Sequence, residues 1–290
     1  MGVRRVLRVL ILLPPSEGKA EPPARGRPLD LDALSFGELG PTRARILDVL
    51  VELCRTDPER AAEVLELGPK LAGEVAVDAA LVGAPTLPAH QLYTGVLYAA
   101  LGLNDLPTAA LRRAGSRLAI ASGLWGLVRP ADRLPRYRLP GGISLPGLGT
   151  LSSVWKPVLG DVVPGAVGTG ALLDLRSTTY AAAWSPAPDL ARRTVTVRVL
   201  HERDGVRRVV SEANKAVKGR LTRAVLLDGS APRTAAALAE LVGDLGERGG
   251  AAGWRTEEST EPAARRRSGP IRLDLIAGDL RTAARLDGPG

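Results

Sequence analysis

The stretch ASGLWGLVRPADRLPRYRLPGG, residues 121–142, holds one Trp, one Tyr, four Arg and four Gly, in a chain with nine aromatic residues in all. Gly123 and Gly126 stand three apart, and Pro130, Pro135 and Pro140 follow, so no long helix fits here. What remains is an ordered loop, entered at Ser122, in which Trp125 and Tyr137 anchor the chain while Arg129, Arg136 and Arg138 point to one place. Guanidinium groups beside flat rings suit a site that grips phosphate and stacks a base. The structural alternative is an aromatic-anchored loop with solvated arginines.

Four other stretches carry similar potential. LLPPSEGK places Ser16 and Lys19 directly after an apolar run, at a strand end where chains mount binding loops, and Gly18 permits close backbone approach. The spacing is not that of a P-loop, and a structural turn is the competing reading. LELGPKLAGEVAVD, residues 65–78, is patterned as half of a helix-hairpin-helix, where backbone N–H groups and Lys70 would hold a phosphate; a helix C-cap explains its glycine equally well. HQLYTGVLYAAL offers Tyr93 at a site wall, or Thr94 as a plain N-cap. SEANKAVKGRLTRAVL reads as a helix with Val217, Leu221, Ala224 and Val225 on one face and Lys215, Lys218, Arg220 and Arg223 fanned across the rest, an arrangement that is either a solvated face or a phosphate contact.

Composition sharpens the choice of lysines. The formal net charge of +8 points to an anionic partner, although a general arginine bias would produce the same excess. Against 34 arginines there are five lysines, Lys19, Lys70, Lys156, Lys215 and Lys218, and a lysine retained in such a chain marks a need for a compact or titratable amine. Two His and one Cys supply too few soft ligands for zinc, so neither metal nor cofactor is expected. Cys54 lies in an apolar helical pattern and reads as a buried small hydrophobe. Arg8 breaks the N-terminal apolar run, and no run reaches the length of a membrane span; a cytoplasmic protein without membrane contact is expected.

The elements that must position these residues follow from periodicity. A buried strand is expected over 6–13, helices over about 42–55 and from Asp57-Pro58 to Gly68, shorter helices near 70–80, 92–103 and 107–114, and strands at 118–121 and 171–175. TVTVRVLHERDGVRRVVS reads as a hairpin turning at Asp204-Gly205, followed by helices over 213–228 and 232–242. IRLDLI, 271–276, reads as a closing edge strand. The expected class is α+β, or irregular α/β: a mixed sheet core with surrounding helices rather than a doubly wound sheet. Residues 1–242 form one domain in this reading, 243–270 a flexible low-complexity insertion, and 271–290 the closing strand and tail.

Taken in order, LLPPSEGK, PKLAGE, LYTGVLYAAL, SGLWGLVRPADRLPRYRLPGG, LSSVWKPVL, LLDLRSTTYAAAW and NKAVKGRLTR resemble the YaaA family of peroxide-stress proteins over roughly residues 7–228. The resemblance implies a YaaA-like fold in a cytosolic oxidative-stress protein that limits iron-dependent damage. It also implies DNA binding through a basic cleft and a helix-hairpin-helix. On that likeness Lys70 and Gly73 belong to the hairpin element, and Lys19, Arg129, Arg138, Lys215 and Lys218 to the cleft. Two functions compete: a protein that grips duplex or distorted DNA by its phosphates, and an enzyme acting on a nucleotide or other phosphorylated small molecule.

Overall fold

The computed structural model describes residues 9–203, 205–250, 253–259 and 269–277. The first strand, β1 (Leu10–Leu13), is buried at all four residues; positions 6–8 of the expected strand lie outside the described residues. Its continuous apolar run is what a strand covered on both faces requires. Helices α1 (Gly40–Thr56), α2 (Pro58–Val64) and α3 (Glu74–Ala79) follow, with Asp57 capping α2 through the amide of Arg60 at 3.0 Å. After β2 (Thr86–Pro88) come α4 (Ala89–Leu92), α5 (Val96–Leu101) and α6 (Thr108–Arg117). Residues 121–142 run from the end of β3 (Leu118–Ser122) through β4 (Gly126–Val128), its antiparallel partner, to β5 (Arg133–Pro135), which pairs with β2, and beyond.

A two-residue ribbon, β6 (Ser144–Leu145) with β7 (Gly149–Thr150), leads into α7 (Leu151–Val167). The sequence reading did not anticipate this helix, because Pro157 and Pro164 lie inside it. Thr150 caps it through the amide of Ser153 at 3.2 Å, and buried Trp155 ties it to the Gly123 carbonyl at 2.8 Å. The remainder comprises β8 (Leu172–Asp174), α8 (Thr178–Ala181), α9 (Pro188–Ala191), β9 (Thr194–Arg203), β10 (Val206–Arg208), α10 (Ser211–Asp228), α11 (Ala235–Arg248), β11 (Trp254–Glu258) and β12 (Ile271–Ala277). Arg203 pairs with Val206, as the expected tight hairpin demands; Asp204 itself is outside the described residues.

The main sheet runs β11-β12-β9-β8-β1-β3-β4, with β10 attached to β9. It is mixed, as expected: β12, β9, β8, β1 and β3 are mutually parallel, and β4, β10 and β11 pair antiparallel. Two expectations need correction. IRLDLI is not an edge: β12 lies between β9 and β11, and it buries Leu273, Leu275 and Ile276. Nor is 243–270 uniformly without structure. Leu241, Val242 and Leu245 carry α11 on to Arg248, and Trp254 opens β11 with its indole N–H on the Val242 carbonyl at 3.0 Å; residues 260–268 lie outside the described set. Among the described residues no helix is long and apolar enough to cross a membrane.

Helix α10 packs directly on α5, and Gly219 permits it: a Cβ there would stand 2.3 Å from the Leu97 carbonyl oxygen and 2.9 Å from the Ala100 Cβ. Gly219→Ala is therefore expected to destabilise the protein, with overpacking costing about 1–3 kcal/mol. That loss opposes the roughly 1 kcal/mol of helix propensity that alanine brings. Urea unfolding of the variant beside wild type measures it, and an unchanged midpoint would show that α10 can move off α5 without cost.

Candidate functional site

The loop after β1 and the loop after β8 open at the same edge of the sheet. The connection from β1 leads to β3 on one side, and the connection from β8 leads to β9 on the other, so the β1–β8 gap is a topological switch point. Open α/β sheets hold ligands in the crevice outside the carboxyl ends of strands at such a point. Here a cleft of about 1000 Å³ occupies it, with Ser16, Lys19, Tyr137, Arg138, Lys215 and Lys218 among its lining residues.

Lys19 stands on the cleft floor. Its Nζ donates to the Ser16 carbonyl at 3.0 Å and the Glu17 carbonyl at 3.4 Å, and lies 4.3 Å from the centroid of the Tyr137 ring. Burial, then the neighbouring Arg138 cation, lower its pKa to about 8; Asp78, Glu74 and Glu17 pull the other way. The Ser16 hydroxyl is tied to the Thr94 carbonyl. Behind Lys19 runs a buried hydroxyl chain: Tyr93 Oη meets Tyr137 Oη at 2.8 Å, and Tyr137 Oη meets Ser122 Oγ at 2.7 Å, where the Trp125 amide also donates at 3.1 Å. Burial raises both phenols well above their ordinary pKa, so the chain stays neutral. Trp125 is fully buried and meets Tyr137 edge-on at 5.7 Å, fixing the loop as the sequence reading expected.

Arg138 reaches Glu17 at 3.3 Å, and its amide donates to Asp78 Oδ1 at 2.8 Å. The sequence reading missed Asp78. It is 0% exposed, its Oδ2 has no hydrogen-bond partner among the described residues, and burial raises its pKa to about 7. An acid inside the apolar run VAVDAA was the available signal. Arg176 was missed too; it lines the cleft, but its guanidinium is committed to Asp174 at 2.7 and 2.9 Å and to the Tyr180 and Trp184 carbonyls. Lys218 is buried on α10 with Nζ on the Leu175 carbonyl at 3.0 Å, and its pKa is lowered by that burial. Lys215, one turn earlier, is exposed at the rim and pairs with Glu212 at 3.0 Å.

Other expected site residues lie elsewhere. Arg129 does not face the cleft: its guanidinium donates to the Ser116 and Leu118 carbonyls at 3.1 and 2.7 Å and sits over Phe36. Carbonyls left over at the end of α6 hold it there. Arg223 likewise donates to the Leu101 and Gly102 carbonyls at the end of α5. Lys70 and Gly73 are exposed on the short turn Pro69–Leu71 and the entry to the six-residue α3, while Glu66 of the same α2–α3 connection lines the cleft.

Fold and site together define an α/β protein with a cation-lined cleft at the carboxyl ends of its parallel strands. The model of the peroxide stress protein YaaA family matches residues 9–241. A UPF0246 protein of Streptomyces coelicolor is 51% identical over 238 residues, covering 82% of this chain and 90% of that protein. UPF0246 proteins of Corynebacterium efficiens and Cereibacter sphaeroides are 41% and 31% identical, covering 82% and 74% of this chain and 93% and 85% of theirs. The chain belongs to the YaaA family of peroxide stress proteins.

Because the folded state lowers the pKa of Lys19, the unfolded chain binds more protons between about pH 8 and 10.5, and stability contributed by this group rises with pH across that window. Lys19→Met removes the effect. The stability of the variant relative to wild type is expected to be greatest below pH 8 and to decline towards pH 10.5; denaturant unfolding at pH 7, 9 and 10.5 measures it. A difference that does not vary with pH would place the amine in water.

Proposed function

We propose that this peroxide stress protein works in the cytoplasm by holding DNA phosphates in the cleft. The observation that carries the reading is the convergence of Lys19, Arg138, Lys215 and Lys218 on one groove of about 1000 Å³ in a chain of net charge +8. Phosphates supply most of the affinity in such complexes, and each one neutralised releases a counterion. A backbone so covered no longer attracts cations, which gives the protein a way to limit iron-dependent damage without ligating iron. The exposed turn carrying Lys70 and Gly73 adjoins the cleft wall at Glu66 and is the element to extend the contact along a duplex.

A second reading has its own observation. The switch-point position, with a lysine and a neutral hydroxyl chain below it, fits a nucleotide or another phosphorylated small molecule.

Fluorescence anisotropy with intact and bulged duplexes across a salt series tests the first reading. Affinity is expected to fall steeply with salt. Arg138→Ala or Lys215→Ala should each weaken binding and reduce the slope by about one counterion, whereas Arg129→Ala should leave the slope unchanged. Binding that is weak and indifferent to salt, with a mononucleotide raising the melting temperature instead, would favour the second reading.

A further inference from the structure

Holding a phosphate needs only a cation, and the surroundings of half-buried Lys19 equip it for more than that. Lys70, Lys156 and Lys215 are exposed at the surface. Lys19 combines three features. It lines the cleft, so a ligand can approach it. The two carbonyls within reach of Nζ, those of Ser16 and Glu17, can take the two N–H bonds that a neutral amine retains, leaving its lone pair for a third partner. Arg138 lines the same cleft and supplies a guanidinium for a phosphate on that partner.

Resting on the anion-binding reading of the cleft, we propose that Lys19 is a nucleophilic amine that condenses with an aldehyde carried near a phosphate. The phosphate is held by Arg138, and Nζ forms an imine with the aldehyde carbon. The lone pair of Nζ attacks the carbonyl carbon, a C–N bond forms, and the carbonyl oxygen is protonated to a hydroxyl. The C–O bond then breaks and the oxygen leaves as water, whose two hydrogens balance the two lost from the amine. No oxidant or reductant is consumed. Two sources share this chemistry: the ring-opened deoxyribose of a base-free site in DNA, flanked by phosphates, and a free sugar phosphate.

The electrostatics agree with the geometry. Burial and Arg138 favour the neutral amine, while Asp78, Glu74, Glu17 and the face of Tyr137 favour the ammonium. With the pKa at about 8, about a quarter of the amine is neutral near pH 7.5, against about one part in a thousand for an ordinary lysine. A desolvated lysine beside a second cation is an established way of making an amine nucleophile. Lys218 is also buried, and it is the rival; its Nζ is drawn to the Leu175 and Arg176 carbonyls, and Asp174 favours its ammonium form.

Reductive trapping tests the proposal on the full chain. The protein is mixed with borohydride and either a labelled duplex containing one base-free site or deoxyribose 5-phosphate, and the adduct is mapped by peptide mass spectrometry. With five lysines in the chain, the assignment is unambiguous. The expected result is a covalent adduct on Lys19 at least tenfold faster than on any other lysine. It should be lost in Lys19→Arg, slowed in Arg138→Gln, and unchanged in Lys156→Arg. Adducts spread over Lys70, Lys156 and Lys215, an adduct on Lys218, or none with either aldehyde would overturn the proposal; mapping in the wild-type chain decides this even if a variant fails to fold. Trapping by the base-free duplex identifies DNA as the source, and trapping by the sugar phosphate alone identifies the free metabolite class. Salt-sensitive DNA binding without trapping would remove the imine and leave the DNA reading standing, whereas trapping of the free sugar without DNA binding would do the reverse.

Discussion

Everything at the cleft depends on the placement of one four-residue strand. β1 is buried at all four positions and is flanked by β3 and β8, both parallel to it. A strand in that position has its backbone groups paired on both sides, so it cannot shift without breaking two ladders. Its carboxyl end therefore fixes where Pro14 to Lys19 emerge. Because its neighbours connect to opposite sides of the sheet, the exit is an open crevice rather than a helix-covered edge. The hydroxyl of Tyr98, donating to the Pro14 carbonyl at 2.7 Å, ties α5 to that exit, and α10 rests in turn on α5.

Arginine in this chain does two different jobs, and the distinction explains why net charge is a poor guide to the site. Arg43 is fully buried and donates to the carbonyls of Ser35, Trp125 and Leu127. Arg129, Arg176 and Arg223 similarly occupy carbonyls at helix or strand ends. A guanidinium with five donors in a plane suits this clamping, since one side chain satisfies several orphaned acceptors. Among the described residues, the cleft offers a ligand Arg138, whose acidic partner Glu17 is itself exposed, together with Lys19, Lys215 and Lys218. Arginine abundance thus builds the frame, and three of the five lysines, Lys19, Lys215 and Lys218, line the cleft.

How much of the site was legible follows the same division. Ser16, Lys19, Tyr137, Arg138, Lys215 and Lys218 were singled out by loop position, ring content or the rarity of lysine, and the structure brings all six to one cleft. Arg129 was not separable from Arg138 by sequence, because both sit in the same proline-broken segment and only the fold decides which meets free carbonyls. Asp78 escaped notice because a single acid in an apolar helix looks like a solvated residue until the helix is seen packed beneath Arg138. The helix over 151–167 escaped because proline weighs against a helix interior, whereas burial of Trp155, Leu159 and Val163 outweighs that local cost.

The sequence by itself determined the local elements: the apolar runs of β1 and β3, the Asp57 cap, the tight hairpin between β9 and β10, and the family signature in the segment from Ser122 to Gly142. These depend on neighbours a few residues away, and short-range sterics and periodicity carry them. Only the tertiary structure decided which charged groups share a cavity, that burial lowers the pKa of Lys19, and that Tyr93 joins Tyr137 and Ser122, from a separate segment, in one hydroxyl chain. Those properties depend on distance and burial between parts of the chain separated by many tens of residues, and composition and spacing do not encode them locally.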